Sequence, residues 1–91
     1  MMDRFLRFMP FYVYVLHSVR LNKIYIGFTS DLEGRLKSHN ELANKGWTIK
    51  FRPWVLVHIE AFQTKLEAMR RERELKSFGG RMFIRKTILS Q

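Results

Sequence analysis

Residues 11–28, FYVYVLHSVRLNKIYIGF, decide how this chain is read. From Phe11 to Leu16 every residue is aromatic, β-branched or leucine, a composition that favours a strand. Both of its alternating faces are apolar, Phe11, Val13 and Val15 on one and Tyr12, Tyr14 and Leu16 on the other. A strand covered on both sides belongs in the middle of a sheet. Lys23 to Phe28 forms a second strand, joined through Ser18 to Asn22, with Asn22 suited to a turn. With the loop over Ser18 to Leu21, antiparallel pairing sets Tyr14 opposite Tyr25 on a shared face. Gly27, inside the strand, marks a close backbone approach or a bend.

Working outward, Ser30 and Glu33 make a capping-box pattern that opens a helix running to about Asn44. Its apolar stripe is Leu32, Leu36, Leu42 and Ala43, and Arg35 and His39 fall inside that stripe one turn apart. A charged residue on an inward face calls for a reason. Lys45 to Pro53 is a loop of interleaved basic and aromatic residues. Trp47 and Phe51 are able to stack on bases beside Lys45, Lys50 and Arg52, although such aromatics more often fasten a loop to the core. Trp54 to Phe62 is a third strand, apolar except for His58 and Glu60.

Thr64 caps a second long helix, with Glu67 three residues on, reaching about Phe78. Leu66, Ala68, Met69 and Leu75 set its buried sector, and Glu72 is its one inward carboxylate, flanked by Lys65 and Lys76. Gly79-Gly80 ends it. Arg81 to Leu89 closes the chain as a short amphipathic helix with Met82, Phe83, Ile84, Ile88 and Leu89 packed. The expected fold is α+β, a three-stranded antiparallel sheet flanked by helices in the order ββαβαα. Residues 1–10 read as a flexible lead-in and 11–91 as one domain.

The totals bound what such a domain does. With 91 residues the core is modest, and with no cysteine it is held by packing alone, which suits the cytoplasm. No apolar run approaches the roughly 20 residues that span a bilayer, so no membrane role is expected. The formal net charge of +9 points to a polyanionic partner, in the first place nucleic acid. Two tyrosines on a strand pair, with arginine, histidine and glutamate facing inward, suit phosphodiester cleavage. A lone carboxylate with water can hold Mg²⁺, arginine steadies phosphate charge, and tyrosine or histidine can take a proton from water. Structural roles compete: tyrosines as sheet packing, Arg35 paired to Glu72, Glu72 satisfied by Lys76 at i,i+4.

The ordered set Tyr12-Val13-Tyr14, Tyr25-Ile26-Gly27, Arg35, His39 and Glu72 resembles the GIY-YIG nuclease domain, and most of all its small stand-alone members. The resemblance runs from Phe11 to Leu89. It implies one divalent metal, Mg²⁺ or Mn²⁺, on Glu72, a phosphate contact from Arg35, tyrosines Tyr14 and Tyr25 lining the site, and assistance from His39. Tyr12, Gly27, Lys45, Lys50, Arg52 and Lys76 are the further nucleic-acid contacts expected. Three positions depart from the pattern. Tyr12 stands where the name-giving glycine does, and Phe28 where excision-repair relatives carry lysine. No asparagine matches near Gly79-Gly80-Arg81. The leading expectation is a metal-dependent DNA endonuclease. The alternatives are a nucleic-acid-binding module of the same fold with little or no cleavage, and a basic component of a ribosome-associated complex.

Overall fold

A computed structural model describes residues 10–42 and 46–90. Three strands form one antiparallel sheet in the order β2-β1-β3: β1 Phe11–Ser18, β2 Lys23–Thr29 and β3 Trp54–Phe62. The helices are α1 (Leu32–Lys37), α2 (Lys65–Lys76) and α3 (Phe78–Phe83). A π-helical turn, Ser38–Leu42, extends α1, a second one, Ile84–Ile88, extends α3, and a 3₁₀ turn spans Trp47–Phe51. The architecture is the α+β sheet expected, with the doubly apolar β1 at its centre. The lead-in expected over residues 1–10 lies, apart from Pro10, outside the described residues.

Each face of β1 feeds its own core. Val13 and Val15 pack with Ile24, Ile26, Ala68, Leu75 and Ile84, all at most 6% exposed, under α2 and the C-terminal turns. Tyr14 and Leu16 pack on the other side with Phe51 and Trp54, against Tyr25, Leu32 and Leu36. One strand thus supplies both hydrophobic layers, which is why its sequence shows no polar alternation.

The hairpin register differs from expectation by two residues. β1 runs on to Ser18 and the turn is Val19 to Asn22, with Asn22 at φ 51°, so Tyr14 pairs with Gly27 and Tyr25 with Leu16. A shift by two preserves the face, so Tyr14 and Tyr25 remain on the same side, diagonal rather than opposed. On the other edge a bulge between Val15 and Leu16 lets His58 pair with Val15 and Leu56 with Leu16.

The helices correct further details. α1 is capped by Asp31, not Ser30: the Asp31 carboxylate accepts from Gly34 N at 3.1 Å. Its widened π turn carries Leu42 off the line of Leu32 and Leu36, leaving it 68% exposed, while Ala43 and Asn44 lie outside the described residues. The capping box of α2 forms as read, with Thr64 Oγ1 accepting from Glu67 N and Glu67 Oε1 accepting from Thr64 N, both at 3.2 Å. The buried line of α2 is Ala68, Arg71, Glu72 and Leu75, spaced i, i+3, i+4, i+7. Leu66 and Met69 therefore sit on the adjacent line, exposed rather than buried.

That rotation is explained by Arg71. Its guanidinium grips Glu60 of β3 with Nε at 2.8 Å and Nη2 at 3.1 Å, and reaches Glu74 at 2.7 Å. His58 adds a contact to Glu60 at 2.6 Å. Burial works against the Glu60 charge, but the hydrogen bonds from Arg71 and His58 hold its carboxyl below the usual range.

α2 ends at Ser77, before the glycines. Ser77 serves as C-cap of α2 and N-cap of α3, its Oγ accepting from Gly80 N at 3.1 Å. Gly80 instead allows a close crossing, since a Cβ there would meet Glu74 O at 2.2 Å. The closing helix thus starts at Phe78. Ile84 is fully buried, but Phe83, expected to pack, is 39% exposed.

Candidate active site

The site is built on the Tyr14 face of the hairpin. Tyr14 is 1% exposed, and its ring lies over Gly27: a Cβ at position 27 would stand 2.5 Å from the Tyr14 hydroxyl. Only glycine leaves room for that ring on the neighbouring strand. Tyr25, half-buried, stacks on Tyr14 with centroids 6.2 Å apart. Tyr12 shares the face two residues away, where it lines a groove with Asp31, Leu32, Leu36 and Ile59.

His39 comes from the π turn, a local geometry common at functional sites. It is 7% exposed, its Nε2 lies 3.2 Å from the Tyr14 hydroxyl, and its ring centre is 4.6 Å from that of Tyr25. Two side chains hold the turn in place. Asn40 clamps the start of β3, accepting from Trp54 N at 2.7 Å and donating to Trp54 O at 3.0 Å. Arg52 donates to the carbonyls of His39 and Ser38. Arg52, expected as a nucleic-acid contact, therefore also braces the turn that carries His39. The structural part of Asn40 was missed because a helix-surface asparagine carries no signal of what it will bond.

Arg35, expected on the inward face, is exposed, while Leu32 and Leu36 of the same helix pack against the Tyr14 core. Its guanidinium remains within electrostatic reach of both Tyr14 and His39. Glu72 is the half-buried carboxylate of α2, 21% exposed, and its charge is also felt at Tyr14. Lys76 stands 3.6 Å from it, the i,i+4 pair anticipated. Lys50 is exposed, its ammonium 5.1 Å from the centre of the Phe51 ring, and Lys45 lies outside the described residues.

These surroundings set the protonation states. Burial pushes ionisation of Tyr14 well above the ordinary phenol range; Tyr25 adds to this, Arg35 opposes it, and Glu72 adds again. Burial, then the positive charges of Arg35 and Arg52, hold His39 below the ordinary imidazole value. At neutral pH the pair is therefore a neutral phenol beside a neutral imidazole. In the tautomer protonated at Nδ1, Nε2 accepts the Tyr14 proton.

Among the described residues no three His, Cys, Asp or Glu side chains gather to cage a metal. The donor set nonetheless fits Mg²⁺ or Mn²⁺, which take a single carboxylate with waters and substrate oxygens. Glu72 offers a hard oxygen donor whose lysine partner is beyond close hydrogen-bond distance. Beside it, Leu66, Met69, Arg70 and Arg73 line a groove of about 200 Å³, two arginines that the sequence pattern does not mark. No helix among the described residues is long and apolar enough to cross a membrane.

Tyr14, Tyr25 and His39 thus meet on one face of a small α+β domain, with Arg35 and Glu72 within electrostatic reach of the Tyr14 hydroxyl. Residues 10–82 match the family model described as the GIY-YIG catalytic domain, and the chain belongs to that family of nucleases acting on nucleic acid. Among its relatives is a UPF0213 protein of Staphylococcus haemolyticus, 43% identical over 74% of this chain and 80% of its own length. A UPF0213 protein of Bacillus velezensis is 47% identical over 60% of this chain and 56% of its own. One from Haloquadratum walsbyi is 37% identical over 74% of each.

Proposed function

We propose that this protein is an endonuclease that hydrolyses phosphodiester bonds in DNA, with Mg²⁺ or Mn²⁺ held by Glu72. The observation that carries this reading is the 3.2 Å contact of Tyr14 with a depressed-pKa His39, with Arg35 and Glu72 acting electrostatically on the same hydroxyl. Arg35 binds a non-bridging phosphate oxygen, a role its exposed guanidinium is free to fill by swinging over the site. Water attacking phosphorus gives its proton to the Tyr14 oxygen as the Tyr14 proton passes to His39 Nε2, so no free tyrosinate is required. Tyr25 holds the Tyr14 and His39 rings in register. A divalent cation on Glu72 would supply electrophilic stabilisation of the phosphate and the leaving oxygen. The net charge of +9 supports a polyanionic substrate, and the cysteine-free composition favours work in the cytoplasm.

A second reading, a binding module with little or no cleavage, draws on two features. Lys76 already neutralises part of Glu72, and Phe28, where excision-repair relatives carry lysine, packs against the apolar core. Nicking of supercoiled DNA separates the two. The nuclease reading expects relaxed circles with Mg²⁺ or Mn²⁺ and none with chelator, while salt-sensitive binding without products supports the module.

A further inference from the structure

Trp47 and Phe51 looked alike in the sequence, but the fold treats them oppositely. Phe51 is 5% exposed and Trp54 3%, whereas Trp47 leaves 52% of its surface in solvent. Trp47 is not a loose side chain. Its ring packs 4.6 Å from Phe51 and 6.1 Å from both Trp54 and Tyr25, centre to centre. The 3₁₀ turn that carries it is pinned at two carbonyls: Trp54 Nε1 donates to Thr48 O at 2.9 Å and Arg20 to Lys50 O at 3.4 Å. The indole is thus held against fixed aromatic rings while half of its surface stays in solvent, directly beside the tyrosine that borders Tyr14 and His39.

An indole held this way is a stacking surface, and the chemistry it suits next to a phosphate site is a nucleobase. We infer that Trp47 is a base-stacking platform that receives an unpaired nucleotide next to the scissile phosphate, making it a specificity determinant for single-stranded or locally unpaired DNA. This rests on the nuclease reading above. The reason for an unpaired base is geometric. Inside a duplex both faces of a base are already stacked, so an indole gains a face only at a strand end, a flap, a bulge or a flipped base. Lys50, exposed on the same turn, supplies charge for the flanking backbone without reading sequence. The platform therefore selects substrate form rather than base identity.

The test uses the full chain, a fluorescently labelled oligothymidylate and a blunt duplex of equal length, at fixed salt. Trp47→Ala is expected to weaken single-strand binding about 5- to 160-fold, the range for one lost stacking contact. Trp47→Phe is expected to retain most of that affinity, with duplex binding within about twofold of the unsubstituted protein for both. Intrinsic tryptophan emission of the unsubstituted protein should be quenched by the oligothymidylate and not by the duplex. Unchanged single-strand binding by a folded Trp47→Ala, or equal loss on both substrates, overturns the platform while leaving the nuclease reading in place. If Trp47→Ala does not fold, the quenching experiment decides, and absence of quenching by a bound single strand overturns it. Failure of the unsubstituted protein to bind either DNA defeats the nuclease reading and the platform with it.

Discussion

The ring of Tyr14 rests on Gly27, so closely that a methyl group at position 27 would fall 2.5 Å from the tyrosine hydroxyl. The glycine of the second triplet is therefore the seat of the tyrosine of the first, and the two motifs are halves of one contact. Gly27→Ala should push the Tyr14 ring away from His39. The expected result is at least a tenfold fall in cleavage rate, since misplacements of about 1 Å at a reacting group cost up to about 100-fold. Stability should fall by about 1–3 kcal/mol, the usual effect of overpacking, with DNA affinity little changed. Rate, melting temperature and binding of the same preparation check this.

Protonation of His39 should set the acid limb of activity. Its imidazole is held low in the folded chain, so the neutral form that receives the Tyr14 proton persists below the ordinary value of about 6.5. The rate should hold through neutrality and fall only in more acid solution, and His39→Ala should remove the limb together with most of the activity. The same shift makes the unfolded chain bind the proton first. The His39 contribution to stability is complete above about pH 6.5 and is lost as pH falls toward the folded-state value. Denaturant midpoints across that window read it.

Glu60 and Arg71 join β3 to α2 away from the Tyr14 face, and they should matter for stability more than for chemistry. Glu60→Ala strips two charge-assisted hydrogen bonds from a half-buried guanidinium. We expect a loss of about 1–3 kcal/mol with cleavage per folded molecule within about twofold. A large rate effect at unchanged stability would place this network in the catalytic machinery instead.

Lys76 shares the carboxylate that is proposed to take the metal. Lys76→Ala should lower the Mg²⁺ concentration for half-maximal cleavage by up to about fivefold, the scale of an exposed ion pair. A metal titration of both proteins gives the comparison, and a raised requirement would assign Lys76 to substrate instead.

What could be read from the residues alone divides along physical lines. Strands β1 and β3 were legible because their composition is unambiguous, and the α2 cap because its box is local. The hairpin register was not, because it turns on whether Ser18 ends the strand or begins the loop, a choice made by tertiary pairing. The inward line of α2 was misplaced because Arg71 looks solvent-bound until β3 brings Glu60 to it. Face assignment survived the register shift, so Tyr14, Tyr25 and His39 do lie together. Arg35 was grouped with them but set too deep, and the split between Trp47 and Phe51 depended on a turn whose anchors, Trp54 and Arg20, lie elsewhere in the chain.

On the proposed mechanism, Glu72 makes the tyrosine–histidine hairpin a hydrolytic site. The most direct test is nicking of supercoiled DNA by the unsubstituted protein and by Glu72→Gln, with DNA binding measured on both. Metal-dependent nicking by the former is expected, with a loss of 100-fold or more in the variant and binding equal within a few-fold. Equal nicking by the two proteins, or none by either in Mg²⁺ and Mn²⁺, would contradict the mechanism.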